Sequence, residues 1–189
     1  MTIVELHTLT SDQVDDLLVL MRELDPTIPV TAEMLERAAE AHGTHLFAAV
    51  GEIPDQVRND GGEQVGNDGG EQVGNEGGEQ VGNDGGEQVG NDAEDHIIGC
   101  ASLCVFDSPT GRKASVEDVV VESGHRGQGI GRALLEHIIG FARRELAPID
   151  LQLTSRPERA AANALYRSLG FERRETNAYR LRLMDERAK

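Results

Sequence analysis

The sequence predicts an α/β (α+β) fold in a single domain over residues 1–189, with a long acidic, glycine-rich loop at 52–95 inserted between two strands. Three observations predict it. Runs of alternating apolar residues interleave with runs spaced like one face of a helix. Two apolar strand-like runs become neighbours once the segment at 52–95 is removed. The charge of the chain is concentrated in that segment. It holds thirteen acidic residues against Arg58 alone, a net −12 of the chain's −16. The remaining −4 is mild, and no basic stripe is present, so nucleic acid is not expected as a partner.

Taken in order, IVELHTL alternates like a strand. Thr10 and Gln13 form a capping box, and Val14, Leu17, Leu18 and Met21 follow on one helical face that ends before Pro26. TAEMLERAAEAHG reads as a second helix closed by Gly43. THLFAAVGE and HIIGCASLCVF are strands on either side of the insert and are expected to pair as a hairpin. GRKASVEDVVVES is a further strand, and GIGRALLEHIIGFARRELA a helix with Leu134, Leu135, Ile138, Ile139 and Ala142 inward. IDLQLTS alternates strictly. Ser155 and Glu158 then suggest a capping box with Pro157 in the first turn. The expected helix buries Ala162, Leu165, Tyr166 and Leu169 and stops at Gly170. NAYRLRLM closes the chain as an alternating strand through which a homodimer is left open.

The insert repeats an octapeptide from Gln56, QVRNDGGE and then QVGN(D/E)GGE, and holds twelve of the chain's 22 glycines. Burying the one valine of each unit contributes roughly 1.5–3 kcal/mol. Ordering its backbone costs on the order of 8–16 kcal/mol. The segment is therefore expected to stay solvated or hairpin-like, a tolerated surface insertion rather than a working part. The N-terminus lacks the basic start and apolar core of a signal peptide or anchor, so a cytoplasmic protein without membrane attachment is expected. Cys100 and Cys104 share one strand face, with Cα atoms roughly 13 Å apart at about 3.3 Å per residue, and are expected as reduced core thiols. No metal is expected, since no second ligand pair accompanies them.

The informative stretch is GHRGQGIGRALLEH. A strand ends, four glycines follow, and a helix begins with no acidic residue between Gly124 and Leu135. First turns normally attract Asp or Glu. Here Arg126 and Arg132 stand at a positive helix end, which is unfavourable unless an anion sits between them. Backbone N–H groups from Gly127, Gln128, Gly129, Ile130 and Gly131 would hold a phosphate. A P-loop would need Gly-Lys-Ser/Thr after the glycines, and a dinucleotide fingerprint would need glycine where Arg132 stands.

Arg126-Gly-Gln-Gly129-Ile-Gly131 resembles the R/Q-x-x-G-x-G/A signature of the GNAT N-acetyltransferase superfamily. VEDVVV before it and N-x-L-Y-x-x-L-G-F from Asn163 to Phe171 after it resemble that superfamily in order and spacing. The resemblance covers residues 96–183 well and 1–50 by element order only; the insert has no counterpart. It implies a mixed, mostly antiparallel central sheet flanked by helices, and acetyl-CoA as co-substrate without a metal. It also implies that residues 126–131, with Arg132, bind the CoA pyrophosphate, that Val119, Val120 and Val121 pair with pantetheine, and that Asn163 contacts CoA. The implied activity is acetyl transfer to an amine of a small molecule or protein by direct attack. The alternative left open is a catalytically silent acyl-CoA-binding or protein-interaction module on the same fold.

Such a reaction needs a base, an oxyanion donor and an acid for the leaving thiolate. Glu117 and Asp118 are the candidate bases, with Glu117 favoured. Neighbouring strand residues face opposite sides, so one of them at most is expected at the substrate unless a bulge intervenes. The backbone N–H of Val119 is the expected oxyanion donor, and the resemblance makes Tyr166 the general acid. The acceptor groove is expected along residues 20–45, where Asp25, Glu33, Glu36 and Glu40 would favour a cationic substrate.

Overall fold

The computed structural model describes residues 1–51 and 96–183. The octapeptide repeat lies outside the described residues, and so do the expectations placed on it. The elements run β1 (Thr2–Leu6), α1 (Ser11–Leu24), α2 (Ala32–Glu40), β2 (Thr44–Gly51), β3 (His96–Ser108), β4 (Gly111–Val121), a short 3-10 turn at Ser123–His125, α3 (Ile130–Glu145), β5 (Leu151–Gln152) and α4 (Ala160–Ser168). The five strands form one sheet in chain order. β1 to β4 pair antiparallel, and β5 joins β4 in parallel.

The sheet divides two apolar layers. Leu6, Leu46, Ala48, Ile97, Cys100 and Val120 face α1 and α2, meeting Val14, Leu17, Leu20, Met21, Leu35 and Ala39. Phe47, Ala49, Ile98, Ala101, Leu103, Ala114 and Val116 face α3, meeting Ile130, Leu134, Leu135 and Ile138. This is strand alternation carried through the sheet: each strand supplies both layers from alternate residues. Leu17, Leu134, Leu135 and Ile138 are fully buried, each worth roughly 1.5–3 kcal/mol of transfer free energy.

The β2–β3 hairpin forms as the sequence predicts, with Gly51 opposite His96 where the insert departs. Asp16 of α1 secures that end, accepting from the Ile97 N–H at 2.8 Å. The capping box at Thr10 and Gln13 is present. Several expectations are corrected. α2 ends at Glu40 with Ala41 as its cap. Gly43 acts later, at φ +84, where its carbonyl accepts from Val105 N–H and a Cβ would meet Val105 O at 2.5 Å. Leu20 rather than Leu18 completes the buried face of α1, and Ile139 is only half-buried.

The Ser155–Glu158 capping box does not form. α4 starts at Ala160 without a side-chain cap, and the Ser155 hydroxyl is buried with no hydrogen-bond partner among the described residues. Asn163 takes over, donating to the carbonyls of Arg156 (2.8 Å) and Arg159 (3.0 Å), so the turn before α4 is tied from within the helix. The α4 stripe is half-buried rather than buried, although Gly170 at φ +92 does end the helix. β5 is two residues long, not seven. Residues 177–183 form no strand, with Tyr179, Leu181 and Leu183 exposed, and Met184 lies outside the described residues. A two-residue β5 offers that segment too short an edge for a ladder.

Candidate functional site

β4 and β5 pair only at Ala114–Leu151 and Ser115–Gln152. Beyond that point the far half of β4 has β3 on one side and no strand on the other among the described residues. Its free edge, Val119 to Val121, lines a cleft of about 460 Å³ whose other walls are Glu23 and Leu24 of α1, Arg126, and residues 158–162 leading into α4.

A bulge shapes this edge. Cys100 opposes Val120 and Ser102 opposes Glu117, so Asp118 and Val119 together face Ala101. Asp118 takes the left-handed conformation, φ +52, that such a bulge demands. The alternation changes phase across it. Ala114 and Val116 face α3 before the bulge; Val119 and Val121 face α3 after it, with Val120 on the α1 side. Glu117 and Asp118 are thereby both left on the α1 side. The bulge is the exception the sequence reading allowed for, and it brings the two carboxylates onto one face.

The electrostatics agree. Burial raises the half-buried Cys104 thiol; its hydrogen bond to Thr44 lowers it, and both the Glu117 and Asp118 charges raise it again. Asp118 also acts on the fully buried Cys100, which burial first and that charge second push up to about 12. Asp118 is solvent-exposed at the bulge; partial desolvation first and the Glu117 charge second raise its carboxyl from its ordinary value. Glu117 accepts a short hydrogen bond from Ser115.

At the end of the cleft the chain makes a 3-10 turn and enters α3. Gly129 is the helix N-cap at φ +85 with no side-chain cap, and the first turn holds no acid. Gly127 has φ +80, and a Cβ at either glycine would meet nothing within 4 Å. No protein acceptor engages the N–H groups of residues 127–131 among the described residues. The two flanking arginines are engaged nearby. Arg126 donates to Val121 O (2.9 Å) and to Glu23 (2.6 Å), and Arg132 to Glu136 (3.3 Å) and the Ser168 hydroxyl (2.6 Å). All of these are solvent-accessible contacts that an anion could compete for.

Tyr166, Glu117 and Asp118 are not among the residues lining the cleft. Tyr166 is half-buried against Phe171, edge to face at 6.1 Å. Burial raises its hydroxyl, while the charge of the cleft-lining Arg159 lowers it. Asn163 does not line the cleft, and its amide nitrogen is already committed to the Arg156 and Arg159 carbonyls. The acids expected to colour an acceptor groove are placed elsewhere. Glu33, Glu36 and Glu40 are exposed on α2 and do not line the cleft. Asp25 is tied to Thr27 and Arg156, contacts that lower its carboxyl, Thr27 first.

Sequence reasoning missed Glu23, Arg156 and Arg159. Both arginines lie more than 100 positions from Glu23, and they meet α1 only because it ends beside the cleft. Arg159 donates to Leu24 O at 3.1 Å and Arg156 reaches Asp25 at 3.3 Å. His125, in the 3-10 turn after β4, is buried and bonded to Glu122 at 2.6 Å.

Comparison with known proteins places this geometry. Streptothricin acetyltransferase of Streptomyces lavendulae is 41% identical over 61 residues, 32% of this chain and 31% of that protein. The ribosomal protein bS18-alanine N-acetyltransferase of Escherichia coli K12 is 43% identical over 60 residues, 31% of this chain and 39% of that one. These matches therefore span about a third of each relative. The fold is also that of solved acetyltransferases. A ribosomal-protein-alanine N-acetyltransferase from Brucella melitensis superposes with a TM-score of 0.58 at 15% identity, covering 97% of this chain and all of that one. An aminoglycoside acetyltransferase from a soil metagenome gives 0.59 at 14% identity, over 97% and 95%. The acetyltransferase (GNAT) family profile matches residues 75–171, half of the sequence, and the chain belongs to that family.

Proposed function

We propose that the chain is an acetyl-CoA-dependent N-acetyltransferase acting on a primary amine of a small molecule or protein. The carrying observation is the uncapped amide loop at Gly127–Gly131, set at the end of an unpaired β4 edge. A diphosphate fits this donor set: two left-handed glycines with open space above them, a positive helix end and two arginines. Arg126, Gly127, Gln128, Gly129, Ile130, Gly131 and Arg132 would hold it. The free edge at Val119–Val121 would pair with pantetheine, although Val121 O already accepts from Arg126.

The bound cofactor would supply an activated thioester. An alkylamine of pKa near 10.4 is mostly protonated at pH 7, which costs roughly 4–5 kcal/mol if it must react neutral. Glu117 and Asp118 on one face provide carboxylates to take that proton, directly or through water. The amine nitrogen bonds to the carbonyl carbon while the Val119 N–H receives the developing oxyanion. Tyr166, whose hydroxyl burial raises, would give its proton to the thiolate leaving as the C–S bond breaks, and the second proton of the acylated nitrogen would restore the phenol.

Relatives acting on streptothricin and on a protein N-terminus support an amine acceptor of either size. Among the described residues no helix is long and apolar enough to cross a membrane, in keeping with a cytoplasmic setting for the proposal. A homodimer through the final segment has the exposure of Tyr179, Leu181 and Leu183 in its favour. Thiol release from acetyl-CoA over an amine panel tests the activity. Calorimetry tests the site, and absence of CoA binding refutes the assignment.

A further inference from the structure

Among the described residues, Glu23 is the one carboxylate that reaches Arg126 of the proposed cofactor loop from across the cleft. Its Oε2 accepts from Arg126 Nη2 at 2.6 Å and its Oε1 from the Ser123 hydroxyl at 3.2 Å, while the side chain lines the cleft beside Val119–Val121. It stands where the proposed diphosphate would take Arg126. The end of α1 does not depend on this pair for its position. Arg159 holds the Leu24 carbonyl and Arg156 holds Asp25, each from the far wall. The Glu23 side chain can therefore release Arg126 while its backbone stays in place.

We propose that Glu23 changes partner during the working cycle. It neutralises Arg126 in the cofactor-free protein and, once a diphosphate takes Arg126, presents its charge to the cationic group of the acceptor. This rests on the proposed function and names the acceptor class, an amine presented as an ammonium cation. A dianionic diphosphate makes more charge-assisted bonds to a guanidinium than one carboxylate does, so it wins the competition. The displaced carboxylate, 24% exposed and facing a bound anion, is left without a counter-charge until a cation arrives. Cofactor binding thus strengthens acceptor binding, and by linkage the acceptor strengthens cofactor binding equally.

The test is calorimetry on the full chain. In Glu23→Gln, CoA should bind roughly two- to fivefold more tightly, the range an exposed ion pair is worth. Pantetheine, which has no diphosphate, should be unaffected. With 1,4-diaminobutane as the probe cation, the wild type should bind it more tightly in the presence of saturating CoA than without it, and Glu23→Gln should lose that dependence. Asp107→Asn, which removes a remote carboxylate paired with Arg112, controls for net charge and should match the wild type. A merely structural Glu23 would weaken both ligands together. Unchanged or weaker CoA binding in Glu23→Gln overturns the proposal, and so does failure of the diamine to bind the CoA-loaded wild type. If Glu23→Gln does not fold, Ser123→Ala, which removes one of the two donors to Glu23, should still tighten CoA. Failure of the wild type to bind CoA at all would instead sink the functional assignment itself.

Discussion

Replacing Gly129 by alanine separates a structural from a binding role for the loop before α3. Gly129 sits at φ +85, and a Cβ there would meet no atom within 4 Å. The free protein therefore loses only the backbone preference, roughly 1–2 kcal/mol for a side chain in the left-handed region. For a chain of this length that lowers Tm by about 2–8 °C. The new methyl, however, would stand in the open space above the amides where a diphosphate is placed. Losing one charge-assisted hydrogen bond there costs about 1.5–3 kcal/mol, a roughly 10- to 150-fold weaker CoA. Gly111 is the matched control, at φ +112 with equally open surroundings, roughly 30 Å away along β4. Thermal denaturation should show comparable losses for Gly129→Ala and Gly111→Ala, while calorimetry should show weakened CoA in the first alone. Equal CoA affinity in the two variants would refute the anion-loop reasoning.

Tyr166→Phe should leave CoA affinity unchanged and lower turnover roughly 10²- to 10⁴-fold, as loss of a general acid does. Since burial raises the Tyr166 hydroxyl above 10, the alkaline decline in wild-type turnover should begin only above that pH, measured as a pH–rate profile. Asp118→Asn should stabilise the fold slightly at pH 7, the effect being kept small by solvent screening of the exposed side chain. A carboxyl raised in the folded state penalises folding as pH rises through its folded pKa, and contributes no penalty below the unfolded value of 3.8. Melting curves should therefore show the variant's advantage at pH 7 and its disappearance below that value, and Asn suits the left-handed backbone at this site. Deleting residues 54–93 leaves four residues to join Gly51 to His96, which are already paired across the hairpin. Loop-closure entropy then favours the deletion by up to about 2 kcal/mol. CoA binding should persist, and its loss on calorimetry would give the repeat a role.

How much was legible in the sequence depended on whether the signal was local. The Thr10–Gln13 box, the β2–β3 hairpin and the acid-free start of α3 depend on residues within a few positions, or on two strands made adjacent by removing the insert, and all are present. The Ser155–Glu158 box has the same local pattern yet does not form, because α4 begins only at Ala160, beyond the reach of a Ser155 cap, with Asn163 donating back to the Arg156 and Arg159 carbonyls. Alternation in IDLQLTS and NAYRLRLM marks sequences able to form strands, but a ladder needs a partner, and pairing ends at Gln152. The Glu23–Arg126 contact spans 103 positions and leaves no periodic trace. Its nearest sign in the sequence was the unexplained pair of arginines at a positive helix end.

The bulge at Asp118–Val119 links the sheet to the proposed chemistry. One inserted residue does two things that regular pairing could not do together. It takes Val119 out of the one-to-one ladder with β3, on an edge that β5 has already left and that lines the cleft. It also shifts the side-chain phase, so Glu117 and Asp118 share a face instead of straddling the sheet. Two carboxylates held together cannot ionise independently: partial desolvation raises Asp118, and the charge on Glu117 adds to it. A carboxyl raised toward the working pH is a better match for a proton taken from an ammonium than one at its ordinary value. Glu117 accepts a hydrogen bond from the Ser115 hydroxyl. On this reasoning the base of the proposed reaction is Asp118 with Glu117 tuning it, a reversal of the preference for Glu117 that strict strand alternation suggests.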